Sequence, residues 1–578
     1  MTTGNFLSDS SLAEEQDPSA NQDALSPSAD FVDEKPKPEK QDTVLNNTAT
    51  VITLKDLTLT LSYQPPKLAW FPYALPYLRE QRVTQTIFRG VTITFEPGLV
   101  HGILGASGSG KTSLLNCLSG RIHSSDKVSD PSQDSVWSRF LSPPRVSLTG
   151  QLSIEPTSAK ICYVTQQDFL MPYLTVRETL TYAARLQANH SSREIAEQVD
   201  RIIVELGLVD CAEVLIGDTR VRGCSGGQRR RVSIGVQMLT NPAILILDEP
   251  TSGLDAFTAK TIVETLHYLA RKRGTMVIVT VHQPRSQIFS LLDTVTLVSS
   301  GRIVYTGSQP VSYFTSRGYT CPLDVNPADY LLDLVAVDFR SFEAAAQSKI
   351  LIERLADDFS QTQSIQTKEN DSPAQPSNKK VHQTRSYPSS LFVQIKTLTS
   401  RTFTNLRRDR MSLLGCFLEA LIMSLVTGFL FLNLDNSLSG IQSRIGVIYI
   451  SSSIHPYLII VYSVYRIAHT IPAFDRDRQD KLYSPFAYLA SQLIAYCPLD
   501  VFFPAMFGAI IYFMAGLRTD GTAAWHFWVW LYTMVLNQYI AIWLSSFCVA
   551  VIRDYPTASL MANSLVTFAA HFIRLLPI

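Results

Sequence analysis

Gly105, Ala106, Ser107, Gly108, Ser109, Gly110, Lys111 and Thr112 follow directly on the apolar run Val100–Leu104. A glycine-rich loop between a strand and a helix lets successive backbone N–H groups wrap phosphate oxygens, and the helix amino terminus adds partial positive charge. The segment therefore predicts a strand, a phosphate-binding turn and a helix, with Ser113 continuing the binding run. Lys111 is placed to reach the outer phosphates of a nucleotide, and the Thr112 hydroxyl to ligate Mg²⁺. By chance such a run arises in roughly one chain in fifty of this length at average residue frequencies. A second element has to decide.

That element is Ile244-Leu245-Ile246-Leu247-Asp248-Glu249, an apolar strand ending in two acids that can divide the work. Asp248 is a candidate Mg²⁺ ligand, and Glu249 a candidate to orient or deprotonate the attacking water. From about Val51 to Asp338 short apolar runs alternate with amphipathic stretches, the pattern of an α/β domain. Residues 123 to 147, rich in Ser, Asp and Pro, read as a surface insertion.

Charge is unevenly spread. Fifty basic and fifty acidic residues balance, which removes the electrostatic case for a nucleic-acid partner. Charged residues crowd the first 410 positions and thin out where long apolar runs begin. Residues 1–48 read as a disordered polar tail, 49–340 as the α/β domain, 341–388 as a linker and 389–578 as a transmembrane domain. Five apolar segments have spanning length: 411–432, 445–465, 499–517, 525–549 and 558–576, the last carrying His571 and Arg574. Basic residues before the first span (Arg401, Arg407, Arg408, Arg410) and between the second and third (Arg476, Arg478, Lys481) place those sides in the cytosol. Glu419 inside the first span is costly in lipid and is expected to face helix partners or a cavity. The eight cysteines form no CxxC pair and read as reduced thiols.

Cys224-Ser225-Gly226-Gly227-Gln228 resembles the signature of ABC proteins, and it lies upstream of Asp248 as that family requires. Gln166 in Tyr163-Val-Thr-Gln-Gln-Asp168 resembles the Q-loop, Ser252-Gly-Leu-Asp255 the D-loop, and His282 in Val281-His-Gln-Pro284 the switch histidine. The finer resemblance, carried by Leu174-Thr-Val-Arg-Glu178, Asp248-Glu-Pro-Thr-Ser-Gly-Leu-Asp255 and the order of domains, is to the G subfamily of ABC transporters. Gln228 departs from the Glu more usual there, and Cys224 is an uncommon start; the run from Arg222 to Leu239 resembles a fungal branch.

This resemblance implies an α/β P-loop NTPase domain of ABC type followed by an all-α transmembrane domain, with ATP and Mg²⁺ as cofactors. Glu249, His282 and Gln166 would be catalytic, Gln166 would join Thr112 and Asp248 at the metal, and Ser225, Gly226, Gly227 and Gln228 would close on ATP bound by another subunit. The chain is thus expected to pair with itself or with another half-transporter, and to export lipidic or amphipathic compounds. An aromatic ring upstream of the phosphate loop would stack on adenine, Tyr63 first and Phe88 second. The segment from about Ser389 to Arg410 would be an amphipathic connecting helix. Six spans are usual in the family, so a sequence ending at Ile578 after a fifth is expected to be truncated. A partner subunit without independent transport, or one half of a longer transporter, is the alternative. The substrate and the choice between plasma and internal membranes stay open.

Overall fold

A computed structural model describes residues 50–63, 83–122, 145–187, 191–369, 387–435, 437–517 and 523–575, all within one unit, Thr48–Ile578. The expected tail and most of the 123–147 insertion lie outside the described residues.

Two sheets build the first half. Strands β1 (Val51–Tyr63), β2 (Val83–Phe95) and β4 (Arg145–Glu155) pair antiparallel in the order β2-β1-β4. Along β1 the buried positions switch from even (Ile52, Leu54) to odd (Leu57, Leu59). A period-two strand can change phase only by inserting a residue. The register shifts between Leu54 and Leu57 against β2 and between Lys55 and Thr58 against β4, and Asp56 takes a positive φ of 50°. Opposite, Gly150 leaves room, since a Cβ there would stand 2.3 Å from the Asp56 carbonyl oxygen.

The larger sheet comprises β3 (Val100–Leu104), β5 (Ile161–Val164), β6 (Ile244–Leu247), β7 (Met276–Thr280), β8 (Thr294–Ser299) and β9 (Arg302–Gly307), in the order β5-β6-β7-β3-β8-β9. All pairs are parallel except β8 with β9. β3, β6 and β7 are buried at every position, which is why they read as unbroken apolar runs: a parallel sheet is covered on both faces. The covering helices are α1 (Lys111–Leu118), α2 (Val176–Gln187), α3 (Ser192–Glu205), α4 (Gly226–Met238) and α5 (Ala256–Arg273). On α5 the inward residues Ala259, Ile262, Val263, Leu266, Leu269 and Ala270 keep the spacing of one helical face. Gly274, at φ 66°, ends it.

The stretch 341–388 departs from the expected linker. Its first part is a 28-residue helix, α6 (Phe342–Glu369). Ile352, Leu355, Ala356 and Phe359 are buried, and Phe359 meets the Tyr305 ring of β9 at 5.8 Å. Their i, i+3, i+4, i+7 spacing makes a stripe that the surrounding polar composition masks.

Beyond it, α7 (Leu391–Arg408) is the expected connecting helix. Leu398, Thr402 and Leu406, four residues apart, are buried. Arg408 donates to both carboxylate oxygens of Glu178 at 2.6 and 2.7 Å, and Tyr173 donates to Asp409 at 2.9 Å. Burial raises the Glu178 pKa, but Arg408 and the Thr175 N–H outweigh it and hold the carboxyl below its usual range. The α7–α2 contact is thereby charged.

The membrane half continues with α8 (Arg410–Leu430), α9 (Leu438–Gln479), α10 (Pro485–Met514), α11 (Ala523–Val551) and α12 (Tyr555–Leu575). Among the described residues four helices are long and apolar enough to cross a membrane, the first four of these. The fifth expected span, 558–576, coincides with α12, which is helical but not one of the four; Asn563, Ser564 and Thr567 dilute its apolar surface. At 42 residues α9 is about 63 Å long, roughly twice the hydrocarbon core, so its end at Arg476 and Asp477 projects to the nucleotide half. Glu419 lines a cavity of about 40 Å³ with Tyr462, Arg466, Tyr496 and Asp500. It faces other helices, as expected.

Helices α4 and α5 approach closely at Gly227. A Cβ on Gly227 would stand 2.0 Å from Thr258 Cγ2. Gly227→Ala should destabilise the chain by about 1–3 kcal/mol, read as a lowered melting temperature of the purified protein. Adding Thr258→Ser, which removes the clashing methyl, should recover most of the loss. An unchanged melting point for Gly227→Ala would refute the contact.

Candidate nucleotide-binding site

Parallel pairing brings the ends of four strands to one edge. Val164 lies level with Leu247, Leu247 with Val279, and Ile103 with Thr280. The residues that follow converge there: Gln166 after β5, Asp248 and Glu249 after β6, His282 after β7, and the phosphate loop after β3. Open α/β sheets bind ligands in the crevice at this edge.

The loop's shape depends on its glycines. A Cβ on Gly105 would lie 2.2 Å from the Val298 carbonyl oxygen, and Gly110 caps α1 at φ 101°. Lys111 is buried and its ammonium donates to the carbonyls of Gly105 at 2.8 Å and Ala106 at 3.0 Å. Burial lowers its pKa, while the carboxylates of Glu249 and Asp248 work the other way. The loop is thus wound around its own cation. Those carbonyls are replaceable by phosphate oxygens.

Asp248 is held from three sides. Thr280 donates to Oδ1 at 2.8 Å, Thr112 to the same oxygen at 3.3 Å, and Tyr163 to Oδ2 at 3.3 Å. Burial, with Asp248 beside it, raises the Tyr163 pKa strongly, so the phenol stays a donor. Arg230 on α4 donates to the Asp248 carbonyl at 2.7 Å and to Asp168 at 3.0 Å. Glu249 has a positive φ of 45°. Its N–H donates to Thr280 Oγ1 at 2.8 Å, and its carboxylate accepts from Gln166 Nε2 at 2.8 Å. The strained backbone turns the second acid away from the first. Asp248 is buried beneath the edge, and Glu249 opens into the cleft.

That cleft, about 800 Å³, is lined by Ser107, Gly108, Gly110, Lys111, Thr112, Ser113, Gln166, Glu249, His282 and Ile87, among others. Ser109 is buried beneath the loop. His282 stands exposed on the rim, followed by Gln283 at φ 48°. Of the two aromatic candidates for the adenine, Phe88 does not reach the cleft, and the side chain of Tyr63 lies outside the described residues. The Tyr63 backbone pairs with Val83 at the end of β1, and Phe88 is buried in the core at 1% exposure. The strand alternation that buries Phe88 turns its neighbour Ile87 to the loop instead.

The signature residues sit elsewhere. Ser225 caps α4: its hydroxyl accepts the Gln228 N–H at 3.2 Å while Gln228 Oε1 accepts the Ser225 N–H at 2.9 Å. This reciprocal cap needs only a side-chain carbonyl at position 228, so glutamine serves as glutamate would. Ser225 does not line the cleft of Lys111; Gly226 borders an adjoining hollow of about 380 Å³ that shares Gln166, Ser252 and Gly253 with it. Asp255 caps α5, accepting the Thr258 N–H at 3.0 Å, and these hydrogen bonds hold its carboxyl low. Thr280, Tyr163 and Arg230 were not anticipated. The one trace of Thr280 in the sequence is a polar residue closing an otherwise apolar strand.

Comparison with known proteins agrees with this geometry. Residues 88–252 match the ABC transporter family and residues 393–572 the ABC-2 type transporter family. An uncharacterised ABC transporter ATP-binding protein/permease of Saccharomyces cerevisiae is 36% identical over 505 residues, 83% of this chain and 38% of that protein. ABC transporter G family member 7 of Arabidopsis thaliana is 33% identical, over 76% of this chain and 60% of its own length. ATP-binding cassette sub-family G member 8 of Homo sapiens is 33% identical, over 81% and 70%. The chain spans less than two thirds of the yeast and plant relatives.

Thr280→Val would strip the Asp248 carboxylate of its shortest hydrogen bond and remove the acceptor of the Glu249 N–H. Second-sphere losses of this kind lower metal affinity or activity by about 10- to 100-fold. ATP turnover by the purified chain should fall by that factor, and Thr280→Ser should restore it; full activity in the valine variant would show that the hydroxyl does not orient the acids.

Proposed function

The chain belongs to the G family of ABC transporters, and from that premise we propose that it is an ATP-hydrolysing half-transporter exporting lipidic or amphipathic compounds. It is a multi-pass membrane protein with its nucleotide-binding domain in the cytosol. The observation that carries the proposal is the separation of Ser225 from the cleft lined by Lys111 and Glu249. A phosphate loop and a signature that do not meet within one chain must meet between two, whether two copies or a copy and a relative.

In this reading Lys111 exchanges its two loop carbonyls for phosphate oxygens, and the loop N–H groups take the rest of the charge. Glu249 holds the attacking water, oriented by Gln166, with His282 at the rim facing the outermost phosphate. The oxygens of Thr112 and Asp248, 3.3 Å apart, suit a hard cation, and Mg²⁺ characteristically takes one or two carboxylates and fills its shell with phosphates and water. With Gln166 they would hold Mg²⁺, which when bound neutralises phosphate charge. Closure on ATP would draw the two nucleotide domains together, and α7, pinned to α2 through Arg408 and Glu178, would carry that motion to the spans. Differential affinity for ATP between closed and open pairs supplies the driving force. An apolar groove on α10 and α11, lined by Leu493, Ile494, Val501, Phe502 and Tyr539, agrees with an apolar cargo.

Glu249→Gln should reduce ATP turnover by two or more orders of magnitude (about 10²-fold or greater) while ATP still binds. Undiminished turnover would remove Glu249 from catalysis. In liposomes, ATP-dependent movement of a fluorescent phospholipid or sterol is expected for the wild type and not for this variant. Turnover without any movement would sink the transport reading.

A further inference from the structure

Where α9 gives way to α10, one carboxylate of the membrane half turns both oxygens to the nucleotide half. Asp480 Oδ1 accepts from Arg121 Nη2 at 2.7 Å, and Oδ2 accepts from Gln237 Nε2 at 2.9 Å. Both members of the ion pair are largely shielded, at 12% and 13% side-chain exposure, where a charged hydrogen bond is stronger than at an open surface. Their positions matter more than their strength. Arg121 lies just past the end of α1, whose other end holds Lys111. Gln237 lies in the last turn of α4, whose other end is capped by Ser225. At eight and 13 residues these helices are rods of about 12 and 20 Å. A single side chain therefore ties the trailing ends of the two helices that carry the phosphate loop and the signature.

A second link runs inward. The Arg121 guanidinium lies 4.0 Å above the Tyr163 ring, and Tyr163 donates to Asp248 Oδ2 at 3.3 Å. The Arg121 guanidinium is thus braced on two sides, by the Asp480 carboxylate and by the Tyr163 ring.

We propose that Asp480 is a positioning residue that clamps α1 to α4, so that nucleotide closure loads the α9–α10 connection directly. The inference rests on the composite-site reading above: closure against another subunit's signature displaces α4 relative to α1, and a carboxylate holding both resists. Releasing either hand makes closure easier. Apparent ATP affinity rises while the chemistry at Glu249 is untouched.

The test uses the full chain in lipid nanodiscs, with ATP turnover measured against ATP concentration for wild type, Asp480→Asn, Arg121→Gln and the double variant. Each single change should lower KM for ATP by about threefold to tenfold with kcat within about twofold. The double variant should go no further, because both changes break the same contact. Arg121→Lys, which keeps the charge, should stay close to wild type. A pair serving stability alone would lower the melting temperature and leave KM where it was. That result, or two shifts that add, would overturn the proposal. Gln237→Met removes the other hand and should give the same fall, so poor folding of Asp480→Asn leaves the clamp testable. Binding of trinitrophenyl-ATP to the same variants gives a readout independent of hydrolysis. If the wild type binds this probe but does not turn over ATP, the hydrolysis reading fails, and the affinity shift still judges the clamp.

Discussion

Parallel pairing of β5, β6, β7 and β3 is the constraint from which the rest of the nucleotide half follows. Parallel neighbours cannot be joined by a tight turn, so each connection crosses the sheet face, and the helices that do so bury both sides of the strands. Burial at every position of β3, β6 and β7 forces their chemistry to their ends, since an internal polar side chain there would lose its water. All four carboxyl ends face the same edge. A glycine-rich loop, two acids, an amide and an imidazole are therefore delivered to one cleft by strands far apart in sequence.

At that edge the buried Asp248 carboxylate sets the local arrangement. A buried charge lacking partners costs far more than the hydrogen bonds that satisfy it contribute. Thr280 serves twice, donating to Asp248 and accepting from the Glu249 N–H, so one hydroxyl spaces the two acids. Tyr163 and Thr112 take further lone pairs. The positive φ at Glu249 is then the local strain that aims the second carboxylate into the cleft instead of leaving it stacked against the first.

Legibility from sequence follows the same division between local and non-local contacts. Motif residues could be singled out as candidates one by one, because each motif is a short contiguous string, and the structure brings Lys111, Gln166, Glu249 and His282 to one cleft. The order of domains, the connecting helix and the first four spans were legible for a similar reason: each rests on composition or periodicity within one segment. What escaped was any residue defined by a distant partner. Tyr163 and Thr280 matter only because β5, β6 and β7 lie side by side, and their hydrogen bonds to Asp248 bridge 85 and 32 residues. The shift of phase in β1 was invisible because a bulge has no string of its own. Helix α6 was missed because its polar residues outnumber an apolar stripe that becomes meaningful only against β9. The adenine ring shows the converse error: an aromatic at a plausible distance in sequence says nothing about which face of the strand it occupies, and Phe88 faces the core.

The joint between the halves extends this logic. Partly exposed ion pairs such as Arg408 with Glu178 contribute only ~1 kcal/mol or less each, so their number is a weak argument about stability and a better one about geometry. A bidentate pair fixes two planes relative to each other, and a carboxylate with two separate donors fixes two helices. Arg121 and Asp480 are separated by 359 residues, Gln237 and Asp480 by 243, and nothing in either neighbourhood announces the other. A rigid connection of that kind can transmit displacement without contributing much net free energy, because what it transmits is the difference between two arrangements rather than the depth of either.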